Sequence, residues 1–216
     1  MKIALIGATG FVGAAVLKEL LQRGHDVVAL ARHPDKLAVQ PRLRVVQADV
    51  LDAAQVQTAV AGVDAVVSAY NAGWSNPHIY ADFMRGSRAT VQGIRAAGVR
   101  RYLVVGGAGS LYVNGRQLVD APDFPATIKP GATAARDMYT ELQQETSLDW
   151  TVLSPPIGFH PGGPSGRTGQ YRTGKDAPLM QPDGAPGTIS DADLAVALVD
   201  ALERGAHVRE RFTVAY

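Results

Sequence analysis

Gly7, Gly10 and Gly13 recur at three-residue spacing in GATGFVG, between an apolar run and an amphipathic one. Residues this small let a main chain pass close to a diphosphate. The bare N–H groups of a helix start, with the positive end of its dipole, then hold the negative charge. A second stretch, RDMYTELQ, carries Tyr139 where a reductase would carry Tyr-x-x-x-Lys, a proton relay. Four residues on stands Gln143, which cannot carry a charge. The first stretch offers a nucleotide site, and the second a relay that lacks one member.

Both need strands and helices to aim them. Short apolar runs alternate with helical periodicity through most of the chain. The patterns predict strands at Lys2–Ile6, Asp26–Leu30, Leu43–Gln47, Asp64–Ser68, Arg101–Gly106 and Trp150–Leu153. They predict helices at Phe11–Arg23, Ala53–Ala61, His78–Ala97, Thr133–Thr146 and Asp191–Arg204, with Arg211–Tyr216 as a closing strand. Runs such as VVAL and AVVS have no polar face, as in strands covered on both sides. The expected class is α/β, a Rossmann-type doubly wound parallel sheet flanked by helices, with residues 1–216 forming a single NAD(P)-binding domain.

The bulk numbers exclude several functions. A net charge of +1 provides no field to draw nucleic acid or an anionic membrane. The absence of Cys rules out a disulfide framework, a thiolate metal site and a cysteine nucleophile, and is compatible with a cytoplasmic location. The five histidines, at 25, 33, 78, 160 and 207, show no metal spacing, so no metal is expected. The glycines at 7, 10 and 13 and the Lys18-Glu19 pair argue against a signal peptide, and no apolar run is long enough for a membrane span.

The pattern breaks between Pro155 and Thr188, a stretch dense in Gly and Pro and too long for a plain connection. We read residues 155–189 as a flap over the cleft at the strand ends, against the alternative of a loose excursion.

The second strand ends VALARH, with no acid to accept hydrogen bonds from the ribose of NAD. Arg32 stands there instead, and its planar fork suits a 2′-phosphate, so NADP(H) is preferred over NAD(H). Asp49 and Val50 close the third strand beside the expected adenine, although Asp49 is equally suited to cap the next helix.

IGATGFVG, ALARHPDKL, VVQADVLD and DAVVSAY resemble the atypical short-chain dehydrogenase/reductases, in particular their small NAD(P)H-binding, NmrA-like group. YLVVGGAGSL, LDWTVLSPP, GRTGQYRTGKDAPL and ISDADLAVALVDALE extend the resemblance over essentially the whole chain. Such proteins are similar to NADPH-dependent flavin reductases, including the biliverdin-reducing kind; relatives also include redox sensors without turnover and sugar-nucleotide epimerases. The resemblance implies a phosphate turn of Gly7, Thr9, Gly10, Phe11, Val12 and Gly13. It puts Arg32 at the 2′-phosphate, Asp49 and Val50 at adenine, and Ala69 and Tyr70 on the ribose side. Gly106, Gly107 and Ala108 fall under the nicotinamide ribose, and Pro155, Pro156 and Ile157 by the carboxamide.

In such reductases the relay, counted back from Asp149-Trp150-Thr151, falls near Ala132 and Arg136, so Tyr139 comes about two turns late. Ala135, Met138, Tyr139 and Leu142 instead form a stripe at helical spacing, which marks packing. Ser110 is the remaining candidate hydroxyl, or a simple turn serine. Tyr70, Trp74, Tyr112, Phe159 and Tyr171 follow strand ends or lie in the flap, where they would stack on a flat small-molecule acceptor such as FMN or FAD. Lys129, Arg136, Arg167, Arg172 and Lys175 offer positive charge for an anionic acceptor, or simply solvation. Three readings follow: an NADPH-dependent reductase of a flavin or quinone, a non-catalytic NADP(H) sensor, and a sugar-nucleotide epimerase. Monomer and dimer are left open.

Overall fold

Ile3–Ile6 has no polar face and lies at the centre of an eight-stranded sheet, buried on both sides, in a computed structural model that describes residues 1–216. This strand is β1 (Lys2–Ile6). It pairs in parallel with β2 (Asp26–Ala31) on one side, which carries β3 (Leu43–Gln47), and with β4 (Ala65–Ser68) on the other. Beyond β4 come β5 (Arg101–Val105), β8 (Asp149–Ser154) and β10 (Glu210–Ala215), all parallel. The hairpin β6 (Tyr112–Val113) and β7 (Arg116–Gln117) stands apart, and β9 (Arg172–Gly174) closes the edge antiparallel to β10. The order β3-β2-β1-β4-β5-β8-β10-β9 reverses direction between β1 and β4, and in sheets of this kind the crevice beyond the carboxyl ends at such a reversal is the usual ligand position.

Helices α1 (Phe11–Gln22) and α5 (Asp191–Glu203) cover one face of the sheet. Helices α2 (Ala53–Val60), α3 (Ile79–Ala96) and α4 (Lys129–Gln143) cover the other. Their starts follow local chemistry. Asp52 accepts from the amides of Ala54 and Gln55 at the head of α2, so the helix cap is Asp52 and not Asp49. Ser190 Oγ accepts from the Asp193 amide at the head of α5. Helix α4 begins a full turn before the Thr133 that periodicity predicts, because Pro130 suits a first helical turn and Gly131 leaves room for a ring above it. No helix is long and apolar enough to cross a membrane.

The Gly/Pro-rich stretch is fastened at several points. Arg167 donates both Nε and Nη2 to Glu19 of α1, each at 2.8 Å. Asp193 of α5 accepts from the Thr168 and Gly169 amides and the Thr168 hydroxyl. Arg172 Nη2 donates to the Met180 carbonyl at 2.9 Å and Nε to the Tyr216 carbonyl at 2.8 Å. The stretch from Gly166 to Gly174 therefore runs along α1, α5 and the sheet edge. Arg167 and Arg172 are spent on these bonds and are not free for an anionic acceptor.

Candidate functional site

The turn from β1 into α1 is held to bare backbone. A methyl on Gly13 would lie 1.9 Å from the Gly7 carbonyl oxygen, and one on Gly7 would lie 2.6 Å from the Ala69 carbonyl oxygen. Gly7 also has a φ of 85°, a region that side chains disfavour. Gly10 supplies no side-chain cap, so the first-turn amides of Phe11, Val12 and Gly13 point out at the carboxyl edge beside exposed Thr9. These features fit a dinucleotide diphosphate: close approach, uncapped donors and the positive end of a helix dipole.

Around this turn the structure gathers the residues named for the rest of a dinucleotide. Ala69 packs against Gly7, and its amide donates to Ile6. The Tyr70 ring lies against Gly86 of α3 and stacks on Phe83 at 5.7 Å, while its hydroxyl donates to the Asp82 carbonyl at 3.0 Å. Burial, then the Asp82 charge, pushes the Tyr70 phenol up to about 12; the charges of Arg32 and Asp49 act on it as well, so the three lie in one neighbourhood. Arg32 is exposed at the end of β2, and its guanidinium makes no ion pair. Asp49 accepts from the Leu51 amide at 3.0 Å, and Val50 is half-buried beside it. Gly106 rests on Val152 of β8, Gly107 and Ala108 continue outward, and Pro155, Pro156 and Ile157 leave the end of β8 next to them.

The aromatic residues divide. Trp74 is 61% exposed and seats its ring over Gly131 in the first turn of α4, where a methyl would lie 2.7 Å from the ring. Tyr112 is exposed on β6. Phe159 reaches back to Phe11, with ring centres 5.4 Å apart, so it borders the phosphate turn. Tyr171 does not join them. Its hydroxyl donates to Asp200 at 2.6 Å, and Asp200 also binds Arg23, which ends α1 at the amino edge of the sheet. There Tyr171 lines a cavity of about 550 Å³ with Ala201, Arg204, His207 and Phe212, on the far side from the crevice.

The two candidate catalytic hydroxyls also face inward. Ser110 is buried; its Oγ donates to the Gly107 carbonyl at 3.0 Å and accepts from Arg211 at 3.1 Å. Tyr139 is buried, as the packed stripe predicts, edge-on to Trp150 at 6.2 Å and under the Arg211 guanidinium. Burial raises its phenol above the ordinary tyrosine value, and its hydroxyl accepts from Gln143 at 3.3 Å. Where the relay tyrosine would fall, Ala132 packs its methyl against Gly109. Arg136, at the other relay position, is bound to Asp137, Asp120 and Gln117.

Sequence reasoning missed Arg211, Asp176 and Asp193, whose partners lie far away along the chain. It also missed the β6–β7 hairpin, although the Asn114-Gly115 pair, with φ of 50° and 76°, is a strong turn signal.

A family model described as NAD(P)H-binding matches residues 7–205. The uncharacterized protein YwnB of Bacillus subtilis strain 168 is 39% identical over 217 residues, covering 99% of this chain and 98% of that protein. A solved structure of a candidate epimerase from Bacteroides thetaiotaomicron is 41% identical, with a TM-score of 0.90, and covers 100% of this chain and 96% of its own. A candidate NADH-flavin reductase from Streptococcus pneumoniae TIGR4 is 34% identical, with a TM-score of 0.85, and covers 100% and 99%.

Proposed function

Because this chain belongs to the NAD(P)H-binding family, we propose that it uses NADPH to reduce a flat, conjugated small molecule such as a flavin or a quinone. The observation that carries this reading is Ala132, a packed methyl where a relay phenol would be. A ketone becomes an alkoxide on reduction and needs a positioned acid, worth roughly 10²- to 10⁴-fold. A conjugated acceptor spreads the incoming charge and takes its proton from water. The protein then has only to orient two rings and exclude solvent around them. The similarity to a candidate NADH-flavin reductase supports the acceptor class.

Bound NADPH would supply the hydride. The rest falls to residues of this chain. The amides of Phe11, Val12 and Gly13 receive the diphosphate at the bend of Gly7, Thr9 and Gly10. Arg32, unpaired, takes the 2′-phosphate and sets the preference for NADP(H). Asp49 and Val50 flank adenine, and Ala69 and Tyr70 the ribose, with Tyr70 acting as a wall rather than an acid. Gly106, Gly107 and Ala108 run under the nicotinamide ribose, with Pro155, Pro156 and Ile157 at the carboxamide. Trp74 and Tyr112 offer ring faces to the acceptor.

The test is NADPH oxidation, followed by its absorbance, against FMN, FAD and a series of quinones. Turnover well above the uncatalysed rate is expected for at least one. Tight, redox-selective NADP(H) binding without any turnover would make the chain a sensor instead, and turnover confined to nucleotide sugars would make it an epimerase.

A further inference from the structure

The Arg211 side chain on β10 is 1% exposed, yet it carries a full charge. Its Nε donates to Asp176 Oδ1 at 3.1 Å, and its Nη2 donates to the same oxygen. Its Nη1 donates to the Ser110 carbonyl at 2.7 Å and to Ser110 Oγ at 3.1 Å. The guanidinium lies 4.7 Å from the centre of the Tyr139 ring and 5.8 Å from that of Tyr112. The Tyr112 amide in turn donates to the Asp176 carbonyl at 2.7 Å.

A buried guanidinium is retained only where its donors are satisfied, so each of these groups is held in place by the others. Three segments meet here: the turn after β5 through Ser110, the β6 hairpin through Tyr112, and the Gly/Pro-rich stretch through Asp176. The first two border the acceptor side of the crevice. The diphosphate turn and Arg32 follow β1 and β2, four and five strands from β10, and touch none of these residues.

We propose that Arg211 is a positioning residue for the acceptor side of the site: through Asp176 and Ser110 it fixes the wall that carries Tyr112. This rests on the reductase reading given above. It predicts a split that a general loss of stability would not produce, because acceptor recognition suffers while the grip on the diphosphate and 2′-phosphate is untouched; only the Ser110–Gly107 bond reaches the cofactor.

Asp176→Ala is the gentler probe, since that carboxylate is 63% exposed at the surface. Arg211→Met removes the charge while filling the volume. In both, KM for the acceptor should rise on the order of tenfold, the scale of one charge-assisted hydrogen bond, with NADPH Kd moving far less. Asp176→Glu should recover most of the loss. Hydrogen exchange gives a readout that needs no turnover: the Tyr112 amide should exchange faster in both variants, with the amides of Phe11–Gly13 unaffected. If the wild-type chain reduces no acceptor, the reductase reading fails and the exchange pattern alone decides the role of Arg211. Unchanged exchange at Tyr112, an unchanged acceptor KM in an active enzyme, or parallel losses of NADPH affinity and kcat in Asp176→Ala would overturn the proposal.

Discussion

Gly13→Ala adds one methyl group, and the structure sets what it must displace. The new carbon would lie 1.9 Å from the Gly7 carbonyl oxygen, 2.6 Å from the Gly7 carbonyl carbon and 3.1 Å from Ala8 Cα. Unbonded heavy atoms settle at about 3.5 Å or more, so α1 must back away from the turn by more than about 1 Å. All three obstacles are backbone, so no side chain can swing aside. Overpacking of this kind costs about 1–3 kcal/mol, and at roughly 2–4 °C per kcal/mol for a chain this long Tm should fall by about 2–12 °C. The same shift withdraws the amides of Phe11 and Val12 from the diphosphate. A misplacement near 1 Å at a binding group costs on the order of 10²-fold, so NADPH Kd should rise by about that much. Gly10→Ala is the internal control for the thermal melt, since Gly10 itself lies on the turn. Its methyl would meet the Gly7 oxygen at 3.4 Å, an ordinary contact, and its φ of −84° suits any residue. Calorimetric titration and thermal melts of both variants provide the measurement. Equal losses of Tm at the two glycines, or Gly13→Ala with normal affinity and Tm, would refute the argument that this turn is a cradle closed by main chain.

Arg32→Ala should weaken NADPH by about 10- to 100-fold, the scale of a charge-assisted hydrogen bond to phosphate, and leave NADH nearly unchanged; equal loss for both cofactors in a titration would contradict the 2′-phosphate role. Tyr139→Phe should leave turnover within about twofold of wild type, because the lost hydroxyl only accepts from Gln143; a drop of 10²-fold or more in kcat would restore it as an acid. Burial raises the Asp193 carboxyl, but hydrogen bonds from Thr168, Tyr216 and the Gly169 amide more than offset this and hold it below the ordinary aspartate value. A depressed carboxylate stabilises the fold above its unfolded pKa, and that contribution is lost as pH falls through the folded value. Asp193→Asn should therefore lower Tm at neutral pH by several degrees, for about 2 kcal/mol, with the gap to wild type closing below about pH 4 in melts across pH.

The alternation of strands and helices was legible because the central strands β1, β2 and β4 are nearly all apolar and covered on both faces, and the bounds of β1 and β3 match the pattern. The tight glycine turn was legible for the same local reason, since three glycines at fixed spacing are both cause and signal. Helix α4 was read late because Pro130 and Gly131 look like breakers, whereas in a first turn the proline lacks only a donor that would be unpaired anyway. The acceptor side was read less well. Tyr171 has an aromatic ring near other rings in sequence, but its direction is set by Asp200, 29 residues on. Ser110 has the expected position, but Arg211, 101 residues away, draws its oxygen inward. Such long-range partners leave no periodicity behind. Arg211 and Thr213 do share one side of β10, opposite Phe212 and Val214, which is the faint sign that something polar lies beneath.

Strand β9 pairs with β10 alone, and β10 follows every other strand of this sheet along the chain. The anchors Asp193 and Tyr216 also arrive late, while Glu19 and the glycine turn are made early. A nascent chain can thus complete the turn between β1 and α1, the proposed nucleotide grip, well before the stretch around Asp176 has anything to hold. The two halves of one crevice belong to different stages of synthesis. In the finished protein, fraying of β10 should open the wall around Tyr112 as a local event that leaves the grip intact.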